Sequence, residues 1–191
     1  MYLSNKTRPD IAYTVNCCSK SVEKPTEEDI ISIKRVLRYL RGTENLGIRF
    51  GGSSPMEEMV GFCDGDFAGD PQSRSITGYL IYYCGGPISW CAKKQPVIAL
   101  STTEAEYIEA AECTKKLMYL KAVLEDILGK EATARLHMDN SSALSLMKNG
   151  VLNRRSKYID VQFHYIHEKV STLLPSDRQN ADIFTKLLKH S

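Results

Sequence analysis

The sequence predicts an α/β fold: a mixed sheet of three antiparallel strands and a parallel fourth, flanked by helices, behind a small helical N-terminal segment. Three observations carry this reading. Runs rich in aromatic and β-branched residues at 59–68, 75–84 and 88–92 follow one another with only short turn-forming segments between them, which is how antiparallel strands are joined. A long stretch of helical period then intervenes before another strand-like run at 133–138. Strands connected through a helix are suited to parallel pairing, because the crossover returns the chain in the same direction.

The totals are those of an ordinary globular chain. Its 191 residues suffice for one good-sized domain with an appendage, or for two small domains. Hydrophobic content of 42% and charged content of 25% are unremarkable. A net charge of +2 does not by itself call for a nucleic-acid partner. The first fifty residues carry nine Lys and Arg against six Asp and Glu, whereas the remainder carries sixteen against seventeen. The basic bias is therefore N-terminal. Six cysteines include no C-x-x-C pair and no His at zinc spacing, so they read as reduced core thiols of an intracellular protein. No apolar run reaches the length of a membrane span, and the N-terminus lacks the layout of a signal peptide.

Residues 1–50 read as a helical unit. Arg8-Pro9-Asp10 opens a segment with Ile11, Ala12, Val15 and Cys18 at helical spacing, Pro9 suiting a first turn. Thr26 followed by Glu27, Glu28 and Asp29 is a strong second start. Ile30, Ile33, Val36, Leu37 and Leu40 give that helix an apolar face, and Gly42 ends it. Lys34, Arg35, Arg38 and Arg41 fall mostly on its other faces, a solvated surface by default. Residues 46–50 suit a short strand. Gly51-Gly52-Ser53-Ser54-Pro55 marks a boundary, which divides the chain into segments 1–50 and 56–191.

Beyond the boundary, alternation along 59–68 puts Val60, Phe62, Asp64 and Asp66 on one strand face. The competing reading ends the strand at Cys63 and leaves both acids in a turn, as Gly69-Asp70-Pro71 would encourage. Gly85-Gly86-Pro87 turns the second strand into the third. Ser101 followed three residues later by Glu104 is a capping box, so a helix begins there. Its core stripe runs Glu106, Ala110, Cys113, Leu117, Leu120, Leu124 and Ile127, and Gly129 stops it. After the fourth strand, Ser141 caps a short helix to Lys148, a basic loop follows, and helices cover 159–170 and the C-terminal end.

A carboxylate opening an apolar stripe is costly to bury unless something pairs with it. Glu106 alone could be a first-turn acid attracted by the helix dipole and leaning into solvent. Three more acids change that reading: Asp64 on the first strand, Asp139 at the end of the fourth, and Asp182 in the last helix. The carboxyl end of parallel strands is where open sheets place their sites. Carboxylates gathered in one pocket repel each other unless cations intervene, and hard oxygen donors suit Mg²⁺ or Mn²⁺. Two such ions support phosphodiester hydrolysis. The histidines offer no comparable site: His137 shares a face with Asp139, while His164, His167 and His190 lack H-x-x-x-H spacing.

The order strand–strand–strand–helix–strand–helix–helix, with acids D…E…D…D, resembles the ribonuclease H fold. The motifs Cys63-Asp64-Gly65-Asp66-Phe67-Ala68-Gly69-Asp70, Arg74-Ser75-Ile76-Thr77-Gly78-Tyr79, Pro87-Ile88-Ser89-Trp90-Cys91-Ala92-Lys93-Lys94-Gln95-Pro96 and Leu100-Ser101-Thr102-Thr103-Glu104-Ala105-Glu106-Tyr107 resemble the ribonuclease H domain of copia-type LTR retrotransposon Pol polyproteins. Asp139-Asn140-Ser141-Ser142-Ala143 and Ala181-Asp182-Ile183-Phe184-Thr185-Lys186 match later blocks of that family. Thr7-Arg8-Pro9-Asp10-Ile11 and residues 34–43 resemble the segment that follows the polymerase palm, which makes 1–50 a remnant of the reverse transcriptase C-terminal region.

The resemblance implies metal-binding, catalytic roles for Asp64, Glu106, Asp139 and Asp182, with Asp66 as the alternative to Asp64. It implies two Mg²⁺ or Mn²⁺ ions and hydrolysis of the RNA strand of an RNA–DNA hybrid, leaving 5′-phosphate and 3′-hydroxyl ends. Such enzymes sense the 2′-OH and the shape of the hybrid. Lys93, Lys94, Arg154, Arg155 and Lys157 are candidates for phosphate contacts, with solvated loop charge as the competing reading of each. The implied partners are the hybrid and the polymerase part of a reverse transcriptase, with no membrane. The implied location is cytoplasmic, in a virus-like particle for an active element, or nuclear. No Tyr-x-Asp-Asp occurs, so polymerase chemistry is not expected. Only four residues separate Val170 from Pro175, too few for a strand and its turn. The fifth strand of the fold is therefore expected to be truncated at 171–175, which would shift Asp182. A folded but inactive fragment, acting at most as a nucleic-acid-binding module, is the second reading.

Overall fold

A computed structural model describes residues 1–51, 58–66, 75–96, 98–99 and 101–137, with β1 side chains described through Cys63. The expected helices after Asp139, the truncated fifth strand, and Asp139, Arg154, Arg155, Lys157 and Asp182 lie outside the described residues.

Four strands form the sheet: β1 Glu58–Asp66, β2 Ile76–Tyr83, β3 Gly86–Lys94 and β4 Thr133–His137. Their order is β3-β2-β1-β4. β1 pairs antiparallel with β2, and β2 with β3, whereas β4 adds to β1 in parallel. This is the mixed sheet that the sequence and the ribonuclease H resemblance imply. The β2–β3 turn falls one residue earlier than expected. Cys84 and Gly85 take φ of 49° and 78°, the left-handed pair that a two-residue hairpin needs, so Gly86 and Pro87 already belong to β3. A side chain at Gly86 would meet the Phe50 ring at 2.6 Å and the Arg49 carbonyl at 2.8 Å. The 46–50 segment does not form the expected strand. It lies against this hairpin, and the Gly51 N–H donates to the Cys84 carbonyl at 2.9 Å.

The long helix after β3 spans Thr102–Leu128. Ser101 Oγ accepts the Glu104 N–H at 3.1 Å, and Gly129, at φ 63°, ends the helix in the left-handed conformation. Ala110, Cys113 and Leu117 are fully buried against Met59, Cys63, Tyr79, Ile81 and Leu136 on one sheet face. Leu120 and Leu124 pack at the margin of this cluster. Ile127, which the stripe placed in the core, is 74% exposed. Twenty-seven helical residues reach about 40 Å, whereas a nine-residue strand reaches about 30 Å. The helix therefore overruns the sheet.

The opposite sheet face is covered from the N-terminal segment, whose elements are α1 Tyr2–Lys6, a 3-10 turn Pro9–Ile11, α2 Ala12–Ser19 and α3 Glu27–Gly42; the Thr102–Leu128 helix is α4. Ala12 packs on Leu80 with Tyr82, Trp90 and Ala92 beside them, and the Trp90 Nε1–H donates to the Ser4 carbonyl at 2.6 Å. α3 starts as expected, with a capping box between Thr26 and Asp29. Its apolar face is not covered: none of its residues is buried, and Ile30, Ile33 and Leu37 are 45–61% exposed. Among the described residues no helix is long and apolar enough to cross a membrane.

Candidate active site

β1 continues as a strand through Asp66, so both acids belong to the strand backbone rather than to a turn after Cys63. The Cα partner of Asp64 across the sheet is Gly78, and that of Asp66 is Ile76. On the other side β1 runs parallel to β4, the last described pair being Phe62 with His137. Asp64 follows Phe62 by two residues, as Asp139 follows His137. The described part of the chain thus ends β4 alongside the stretch of β1 that leads into Asp64.

Several contacts hold this end of the two strands. The Cys63 thiol donates to the His137 carbonyl at 3.6 Å, and the Cys113 thiol of α4 faces the Phe62 carbonyl at 3.9 Å. His137 is 7% exposed, with its ring 4.7 Å from that of Phe62. That setting suits a packed core residue.

α4 brings Glu106 to the sheet. The start of the helix is fastened by Gln95, which is fully buried at the end of β3. Its Nε2–H donates to the Ala105 carbonyl at 2.9 Å, and its backbone N–H to the Ser75 carbonyl at 2.8 Å. Glu106, the next residue, is half-buried, with Oε2 shut off from solvent. It does not lean out into water, as an ordinary first-turn acid would.

One turn further on, Glu109 is 1% exposed and accepts the backbone N–H of Gly78. Gly78 is the residue paired with Asp64. Sequence reasoning passed over Glu109 because the apolar stripe runs through the adjacent Ala110. The available signal was its spacing, three residues after Glu106 and four before Cys113, which puts it on the core side of the helix.

Of the basic candidates, Lys93 and Lys94 lie exposed at the end of β3. Lys93 Nζ is 3.0 Å from Glu112, which Lys115 also approaches at 3.4 Å. Burial pushes the Glu112 carboxyl up, but the two lysines outweigh it and hold the group below its ordinary range. A phosphate reaching Lys93 would compete with this pair.

Asp64 and Glu106 are thus carried on packed elements, whereas Asp139 and Asp182 fall outside the described residues. Among the described residues, no three His, Cys, Asp or Glu side chains gather as a metal cluster. The four candidate acids offer carboxylate oxygen alone, a donor set that fits Mg²⁺ or Mn²⁺ and not a soft metal.

No family model matches the chain. The retrovirus-related Pol polyprotein from transposon TNT 1-94 of Nicotiana tabacum is 43% identical to it over 98% of this chain and 14% of that protein. The corresponding polyprotein from transposon RE1 of Arabidopsis thaliana is 36% identical over 97% of this chain and 13% of its own length. The chain therefore spans about one seventh of the length of each of these two polyproteins. Among solved structures, LC11-RNase H1, isolated from compost by a metagenomic approach, superposes with a TM-score of 0.49 at 18% identity. That match covers 68% of this chain and 93% of the other.

Proposed function

Since the chain belongs to the copia-type retrotransposon Pol polyproteins, we propose that it is a ribonuclease H-type endonuclease that hydrolyses the RNA strand of an RNA–DNA hybrid. The observation that carries this reading is the seating of α4. Its first turns, with Glu106, are fastened to the sheet at the register of Asp64, beside the parallel strand that leads to Asp139.

In this proposal Asp64, Glu106, Asp139 and Asp182 hold two Mg²⁺ or Mn²⁺ ions. When bound, the ions supply Lewis-acid neutralisation of the phosphodiester and an activated water. The chain's own work is to hold its carboxylates in place before substrate arrives. A strand end and a helix start do this better than loops, because both are fixed by packing. Lys94, Arg154, Arg155 and Lys157, with Lys93 once it is drawn from Glu112, are proposed to supply phosphate contacts. Residues 1–50 are proposed as a remnant of the reverse transcriptase C-terminal region. The open apolar face of α3 supports this, as a surface suited to the polymerase part of a longer polyprotein.

The test is cleavage of a labelled RNA–DNA hybrid in Mg²⁺ by the wild-type chain and by Asp139→Asn. Cleavage by the wild type alone is expected. Equal cleavage by both would place the chemistry elsewhere. Cleavage by neither would favour the second reading, an inactive nucleic-acid-binding fragment, for which the four-residue span between Val170 and Pro175 argues.

A further inference from the structure

Glu109 is an anomaly in the packing of α4. Its neighbours Ala105, Ile108, Ala110 and Ala111 are 0–1% exposed, and Glu109 is as deeply buried as they are. An apolar side chain would fill such a position without penalty, whereas a buried carboxylate is costly unless hydrogen-bonded. Its carboxylate accepts the N–H of Gly78 in β2, a strand with neighbours on both sides. Glycine suits such a contact, since it lets a foreign group approach the strand backbone closely.

The bond is also placed where it bears on the site. Gly78 is the cross-strand partner of Asp64, and Glu109 follows Glu106 by three residues, about 4.5 Å along the helix axis. We infer that Glu109 is a positioning residue for the proposed metal site: by accepting the Gly78 N–H it fixes Glu106 relative to Asp64. The inference rests on the metal-site reading given above.

The physical reason is directionality. Contacts such as Cys113 and Leu117 on Met59 and Leu136 bury apolar surface but do not set the axial position of a helix to a fraction of an ångström. A hydrogen bond to a backbone N–H constrains both distance and angle, and an acceptor oxygen of the right reach is enough to make it. Misplacing a reacting group by about 1 Å is worth on the order of a hundredfold in rate. Supporting partners of metal ligands typically matter by about 10–100-fold in affinity or activity.

Two conservative variants separate reach from charge. Glu109→Gln keeps the length and an acceptor oxygen but removes the charge. Glu109→Asp keeps the charge but is one methylene too short to meet Gly78 without shifting the helix. Mn²⁺ affinity would be measured on the full chain by electron paramagnetic resonance, without substrate, with circular dichroism as the check on folding. The expected result is wild-type affinity for Glu109→Gln and an affinity weakened on the order of tenfold for Glu109→Asp. A purely structural role would lower the melting temperature and leave Mn²⁺ affinity unchanged in both, which would overturn the inference. Weakening in Glu109→Gln, with or without weakening in Glu109→Asp, would overturn it by making charge the relevant property. A wild-type chain that binds no Mn²⁺ would instead remove the metal-site reading itself. That outcome differs from all the others.

Discussion

Arg8 ties the N-terminal segment together through one guanidinium. It is 7% exposed; Nε and Nη2 donate to Asp10 at 2.7–3.2 Å, while Nη1 and Nη2 reach the Thr43 carbonyl and hydroxyl at 3.1 and 2.6 Å. The cation also lies 5.5 Å from the centre of the Tyr39 ring. Burial pushes the Asp10 carboxyl up, but bonds from Arg8 and Tyr39 outweigh it, so the net shift is downward. A carboxyl whose folded pKa is depressed adds stability above its unfolded value and loses it as pH falls through the folded one. Asp10→Asn is accordingly expected to cost about 2 kcal/mol at neutral pH. The deficit should vanish in acid below the lowered Asp10 pKa. Urea unfolding of both proteins at the two pH values measures this, and a deficit independent of pH would exclude the ion pair as its source.

At the scale of elements, α3 is the exception among the longer helices, because it forms without burying its apolar side. Its capping box and first-turn acids stabilise it locally, and Arg8 fastens its C-terminal end through Thr43. Leu37 is 61% exposed, so Leu37→Glu should change the unfolding free energy by no more than about 0.5 kcal/mol. It should also reduce concentration-dependent self-association in sedimentation. A large loss of stability would mean that Leu37 is covered in solution. The elements that could be read from sequence are those with local punctuation: Thr26 and Ser101 as caps, Gly129 as a stop, and aromatic and branched runs in the strands. α1 could not be read, since it is five residues long and its N-cap, Met1, supplies no side-chain hydrogen bond. Residues 46–50 alternate like a strand through Leu46, Ile48 and Phe50, but which backbone a segment pairs with depends on tertiary context. Asp64 and Glu106 stood out as acids on apolar patterns. Glu109 did not, because its partner is a main-chain N–H of another element, which no local pattern announces.

At the scale of the molecule, the sheet is a wall shared by two layers, with α4 on one side and α1 and α2 on the other. Trp90, the chain's single tryptophan, sits on the side of α1 and α2 and bonds to Ser4. Its fluorescence therefore reports on sheet and N-terminal segment together. If the two layers unfold as one unit, the Trp90 emission and far-UV circular dichroism transitions in urea will coincide. A Trp90 transition at lower urea would show the N-terminal layer detaching first.

Gly61 lies where α4 comes down on β1. A methyl group there would stand 3.2 Å from Cys113 Sγ, 3.4 Å from Leu117 and 3.5 Å from Leu136. A hydrogen atom thus sets the stand-off between helix and sheet, with thiol and aliphatic neighbours crowding it from helix and adjoining strand. A methyl group there fits only if the Cys113 sulfur gives way by a few tenths of an ångström, since the two aliphatic neighbours already stand at ordinary contact distance. The thickness of this seam is therefore set jointly by residues 61 and 113, and a bulkier group at one calls for a smaller one at the other.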